Sequence, residues 1–158
     1  MKRKGLLLVG LCLPLAGLLA LTLYKEFIVN TGKQFVLPVE GFDPRDLLSG
    51  HYITYRIKFA IPDLCTDAEQ VQAVCLSGGG QHYATDDLTE CDYPLPGECH
   101  GSRFETGLER FYIPQSDAAA LDAAVRKGEG AIEVAVTPKG RSVVSALLIQ
   151  GKRWESEK

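Results

Sequence analysis

Methionine occurs once in this 158-residue chain, at Met1. No Ser-x-Met nucleophile of the signal-peptidase-like proteases can therefore be present, and Ser49 with Lys58 downstream is too contrived a dyad to replace it. No Ser/His/Asp pattern is evident either. No two cysteines are spaced Cys-x-x-Cys, which argues against a zinc knuckle even though His82 and His100 lie near cysteines. Gly78-Gly79-Gly80 is followed by neither a helical pattern nor a P-loop lysine, so it reads as a flexible turn and not as a phosphate cradle. Basic residues are not in excess, 17 against 20 acidic ones, and this sets a nucleic-acid surface aside. There is no internal repeat and no low-complexity segment, and the length suits one domain with a real core better than two.

What the chain does have is a long apolar run. Lys2, Arg3 and Lys4 precede Gly5 to Leu23, which carries no charge. At 1.5 Å per residue that stretch makes a helix of about 28 Å, close to the hydrocarbon thickness of a bilayer. A cleaved signal peptide is the competing reading, but its apolar region is shorter as a rule, and Ala20-Leu21-Thr22 is a poor cleavage site. Cys12 follows Gly10-Leu11 and lacks the small residue directly before it that a lipoprotein site needs. Tyr24 and Lys25 suit the far interface, and Pro14 kinks a spanning helix without forbidding it. The division expected is a basic stub at 1–4, a transmembrane anchor at 5–24 and an exported domain at 25–158. With the three N-terminal cations set aside, 14 basic residues face 20 acidic ones, a net charge of −6.

Export gives the cysteines a meaning. Cys65, Cys75, Cys91 and Cys99 form an even set in an oxidising compartment, which points to two disulfides. Three connectivities are open. The nested one, Cys75–Cys91 inside Cys65–Cys99, is the expectation here.

His51 to Phe59 is the clearest strand. His51, Ile53, Tyr55, Ile57 and Phe59 face one way, and Tyr52, Thr54, Arg56 and Lys58 the other. Further strands are expected at Gln34–Val39, Val71–Leu76 with a return near Gln81–Ala84, and Arg103–Ile113 with a bulge near Gly107. Asp86–Gly101, with Pro94 and Pro96, reads as a loop. Ser116–Lys127 reads as a surface helix capped by Ser116 and stopped by Gly128. Ala131–Thr137 and Ser142–Ile149 form a terminal hairpin around Pro138-Lys139-Gly140. The fold class expected is α+β: an N-terminal transmembrane helix, then a mainly antiparallel β ectodomain with one short helix.

Asp43-Pro44-Arg45-Asp46-Leu47-Leu48-x-Gly50-x-Tyr52 resembles the signature of the GDYXXLXY family of bacterial membrane-anchored proteins. Gly107-Leu108-Glu109-Arg110-Phe111-Tyr112-Ile113-Pro114 and Leu147-Leu148-Ile149-Gln150-Gly151 resemble two further blocks, in the expected order. The resemblance covers most of the chain, the cysteine-rich middle at about 65–101 excepted. The family's eponymous aspartate is His51 here, and its Leu and final Tyr are Tyr55 and Ile57, so no role that needs a carboxylate beside Tyr52 carries over. The resemblance implies a single-pass protein of the bacterial inner membrane with its C-terminal domain in the periplasm and no established activity. Relatives tend to be encoded beside polytopic membrane proteins, which makes such a protein the implied partner.

Candidate binding residues fall in two segments: Arg45, Asp46, His51 and Tyr52, and Glu109, Arg110 and Tyr112. Arg45 and Asp46 read either as a capped turn with a local ion pair or as part of a recognition cluster at the entrance of the strand. A histidine is the side-chain type suited to acid, base or sensing work near neutral pH, but His51 has no evident nucleophile to serve. Tyr52 either covers the edge of the core or anchors an interface. Glu109 and Arg110 read as outward positions of an edge strand or as half of a buried polar network. No catalytic residue, metal or cofactor is expected. The functional expectation is a non-catalytic accessory or binding subunit, with a ligand-binding or sensing domain as the alternative and an enzyme third.

Overall fold

The computed structural model describes residues 2–41, 52–62, 64–65, 71–77, 82–85 and 91–155. Helix α1 (Lys2–Thr31) is continuous through Pro14. Its apolar side chains stand bare: Leu11, Leu13, Leu15, Leu18 and Leu21 are all exposed. Among the described residues it meets the rest of the protein near its end, where Ile28 is buried. Gly32 ends the helix, donating its N–H to the Ile28 carbonyl at 2.8 Å. A Cβ at Gly32 would lie 2.7 Å from that carbonyl and 3.1 Å from the Val136 nitrogen, so glycine is what lets the helix end turn closely onto the sheet.

The chain then enters β1 (Lys33–Gly41), the middle of a six-stranded antiparallel sheet in the order β11-β10-β9-β1-β2-β8. The other strands are β2 (Tyr52–Ile57), β8 (Arg110–Tyr112), β9 (Gly130–Val136), β10 (Ser142–Ile149) and β11 (Lys152–Arg153). Alternation decides the faces. Phe35, Leu37 and Val39 of β1, Ile53, Tyr55 and Ile57 of β2, and Ile132, Val134 and Val136 of β9 are all buried on one side. Two covers lie over that side. Helix α2 (Ala118–Arg126) inserts Leu121 and Val125 near Gly41 and Gly130. A three-stranded sheet, β4-β3-β5, adds Val74, Leu76 and Leu95; its strands are β3 (Ala73–Leu76), β4 (His82–Thr85) and β5 (Pro94–Pro96). The opposite, more open face carries Val36, Glu40, Thr54, Arg56 and Arg110, none of them buried; the last turns of α1 approach it at β9 and β10, and Ala135, Ala146 and Leu148 on it are buried.

Several boundaries differ from the sequence reading. Pro94–Pro96 is a strand, not loop: it pairs with β3 at the margin of its sheet, where an edge position tolerates residues without an N–H. Residues Glu98–His100 (β6) also form a strand, paired with Arg103–Glu105 (β7). The single bulged strand expected over Arg103–Ile113 is two strands, β7 and β8, because Gly107 takes φ +79° and turns the chain from one sheet to another. Ser116 does not cap α2; its hydroxyl donates to the Asp117 carboxylate at 2.8 Å, and Asp117 holds the N-cap position without a side-chain cap bond. Gly128 stops the helix with φ +76°, as expected. Gln150 and Gly151, at φ 52° and 76°, form the tight turn from β10 to β11. The cysteines pair in the nested arrangement, Cys65–Cys99 and Cys75–Cys91. The triple-glycine turn lies outside the described residues.

Candidate functional site

The short pairing of β2 with β8 decides where the candidate residues go. Tyr52 is opposite Tyr112 and Thr54 opposite Arg110, so all four side chains share the open face of the main sheet. The two tyrosine rings meet edge to face at 5.9 Å, and the Arg110 guanidinium carbon lies 5.5 Å from the centre of the Tyr52 ring. β8 is the last strand of the sheet, and Tyr112 is 74% exposed there. A large aromatic left this bare on a sheet edge, next to a second tyrosine and an arginine, has the composition of a protein-binding hot spot.

Glu109 does not join them. It precedes β8 and folds back, its Oε1 accepting from the Thr106 N–H at 2.6 Å and the Thr106 hydroxyl at 2.8 Å. The carboxylate thus braces the turn through Gly107 and is neither an outward edge group nor part of a deeply buried network. The same turn is tied to the core by Tyr55, whose hydroxyl donates to the Leu108 carbonyl at 2.6 Å and whose N–H donates to the Glu109 carbonyl at 3.2 Å. Burial, and secondly the nearby Glu109 carboxylate, push the Tyr55 hydroxyl well above the ordinary phenol pKa. Arg45, Asp46 and His51 lie outside the described residues.

Past Tyr55 the chain before β8 leaves β2, and an open cleft forms between β2 and the β6–β7 hairpin. Its apolar wall includes Phe59, Ile61, Leu64 and Phe104, with Phe59 and Phe104 edge to face at 5.8 Å. Its polar wall includes Arg56, Lys58, Glu40 and Arg103, and Lys58 bonds Glu40 at 2.9 Å. The Cys65–Cys99 disulfide fastens the hairpin side to the segment that follows β2. Reading the sequence for sites missed this cleft. The visible signal was Arg56 and Lys58 alternating with core residues, but the opposing wall depends on β6, in a stretch read as loop, pairing with β7.

A second overlooked contact ties the helix to the domain. Arg141, in the β9–β10 turn, stands over the Tyr24 ring at 5.2 Å and donates to its hydroxyl. Gln34 donates to the Val29 carbonyl at 2.9 Å, and the Ser145 hydroxyl donates to Gln34 at 3.1 Å.

The model of one protein family, described as GDYXXLXY protein, matches residues 14–147, and the chain belongs to that family. No curated protein and no solved structure matches it.

Proposed function

We propose that this member of the GDYXXLXY family is a single-pass protein of the bacterial inner membrane, anchored by residues 5–24, and that its periplasmic domain is a non-catalytic accessory subunit. The partner, on this reading, is a polytopic membrane protein bound through Tyr52, Arg110 and Tyr112. The observation that carries the reading is exposed Tyr112 with exposed Arg110 on the terminal strand of the sheet, both set against the half-buried ring of Tyr52. Bare leucines along α1 favour the anchor, since an apolar helix that packs on nothing of its own chain suits lipid. The end of that helix is also built into the domain through Ile28 and Tyr24, which a removable signal sequence would not need. Two disulfides favour an oxidising compartment.

Register gives the patch a position. Tyr52 lies beyond Gly41, whose partner is Tyr55, and β1 starts at the helix. At 3.3 Å per residue the patch is roughly 35 Å along the strands from the end of α1, so the partner meets it with an extramembrane portion. A second reading, a ligand-binding domain, rests on the disulfide-fastened cleft along β2. The cleft is open along its length, which suits an extended segment better than a small enclosed molecule.

Photo-crosslinking from position 112 in intact membranes, with a control probe at Glu129, tests the first reading. One strong adduct with a multi-spanning protein, specific to position 112, is the expected result. Adducts equal to those of the control would overturn it and turn attention to the cleft. A reporter fused after Lys158 tests the topology and is expected to be active only outside the cytoplasm.

A further inference from the structure

The end of the main sheet nearest the helix concentrates cations against aromatic rings on both of its faces. On the open face Arg141 sits on Tyr24, the first residue after the charge-free run. On the covered face the Lys33 ammonium lies 5.5 Å from the centre of the Tyr93 ring, and Tyr93 in turn meets Phe35 edge to face. Between these two pairs runs the β9–β10 turn, where Pro138, Lys139 and Arg141 are exposed and Gly140 packs close to Pro94 and Pro96. Lys25 follows Tyr24 on the helix and is exposed as well. The carboxylates beside these groups in the chain are Glu26, whose Oε1 accepts from Asn30 at 3.1 Å, and Asp92. The domain as a whole is acidic, and Asp122, Glu109 and Glu129 belong to elements at the other end of the strands.

We propose that this end of the domain is seated in the headgroup layer of the bilayer, where Lys33, Lys139 and Arg141 bind the phosphates of anionic phospholipids and Tyr24 and Tyr93 lie at the interface. The proposal rests on the anchor reading, because the depth follows from it. If Gly5–Leu23 fills the hydrocarbon, Tyr24 is at headgroup level, and a guanidinium that bonds its hydroxyl is at that level too. Arg141 keeps further N–H donors and Lys33 keeps its full ammonium while standing over a ring, so neither contact uses up the capacity to bind phosphate. The arrangement also gives an acidic domain a defined orientation. Its net charge is repelled by an anionic surface, and its basic end is drawn to it.

Nitroxide probes on the full chain, in a Cys12→Ser background, test this. The probe sites are Pro138→Cys in the turn, Leu18→Cys in the span and Glu129→Cys at the far end, reconstituted into vesicles of equal parts phosphatidylcholine and phosphatidylglycerol. The expected ratio of oxygen to nickel-chelate collision at 138 is several-fold above that at 129 and below that at 18. It falls towards the value at 129 when Lys33→Glu and Lys139→Glu are combined, and it is lower in phosphatidylcholine alone. Both lysines are exposed, and an unchanged signal at 18 and 129 in that variant shows that it is folded and inserted. A probe at 138 as water-accessible as the one at 129, with the probe at 18 still in the bilayer, overturns the proposal and leaves the anchor standing. A water-exposed probe at 18 overturns the anchor and the proposal with it. Equal depth at 138 in neutral and anionic vesicles overturns the assignment to anionic headgroups.

Discussion

On one side of the main sheet β1, β9 and β10 run past one another through six or more paired residues each, and Leu37, Ile132 and Leu147 stack fully buried across the three strands. On the other side β8 meets β2 through three residues, and in the separate two-stranded sheet across the cleft β6 meets β7 through three. The long ladders are held by burial, which needs nothing beyond alternation. The short ones are held by particular devices: the Cys65–Cys99 bond, the Gly107 turn braced by Glu109, and the Tyr55 hydroxyl on Leu108. Both the Tyr52–Tyr112 pair and the open cleft belong to the second region. A rigid ladder presenting short, locally stapled elements is the usual division between scaffold and binding surface.

Breaking the first region should have the most widespread effect. Leu37→Ala removes a fully buried side chain from the centre of the ladder. The expected loss is about 3 kcal/mol, with thermal unfolding in detergent shifted down by roughly 10 °C and lost as one transition. A small shift confined to one probe would mean that the ladder is not the cooperative unit.

Removing the outer disulfide sharpens the contrast. Cys65→Ser with Cys99→Ser opens a loop closed over a sequence separation of 34, and chain entropy puts the cost at about 2–4 kcal/mol. Its signature is local: hydrogen exchange should rise in β6, β7 and residues 58–62, while β1, β9 and β10 stay protected. Uniform exchange across both regions would show that the short elements are part of the scaffold after all.

This division also explains what could be read in advance. Strand β2, which lies within the stretch expected over His51–Phe59, and the hairpin of β9 and β10 were legible because half their residues are apolar at a period of two, and the positions expected to face the core, such as Ile53, Tyr55 and Ile57, are buried. The even cysteine count pointed to two disulfides, and the nested pairing found is the one expected among three that the spacing left open. The β5 and β6 strands were hidden, because each has three residues, two of those in β5 are prolines, and their pairing is set by neighbours distant in sequence. The geometry of the candidate site was legible in part. Tyr52, Arg110 and Tyr112 converge through the register of β2 with β8, whereas Glu109 turns inward because Thr106 offers its carboxylate two donors. That register is a tertiary fact, and no periodicity within either strand encodes it.

A smaller effect probes the joint between the regions. Tyr55→Phe deletes the hydroxyl bonded to the Leu108 carbonyl, at a cost of about 1 kcal/mol. The pH dependence carries a sign. Folding holds the Tyr55 hydroxyl protonated beyond its ordinary range, so the stabilisation is fully present below the unfolded phenol pKa of about 10 and is lost as pH rises past it. The natural protein should therefore lose stability more steeply than Tyr55→Phe above that pH, and the gap between their melting temperatures should narrow. Parallel curves would mean that the hydroxyl is not held neutral by the fold.

The smallest expected effect on stability accompanies a large one on binding. Tyr112→Ala removes an exposed ring whose contacts are the edge-to-face meeting with Tyr52 and the strand beneath it, and the expected cost is about 0.5 kcal/mol. Val36→Ala makes a fitting comparison: Val36 lies on the same open face, is 57% exposed, and belongs to the long ladder near the helix. With the photo-probe placed at Thr54, Tyr112→Ala should abolish the partner adduct while Val36→Ala leaves it intact. If both variants weaken the adduct equally, the partner covers the whole open face, and the boundary between scaffold and binding surface lies between the two faces of the sheet instead of between its two sides.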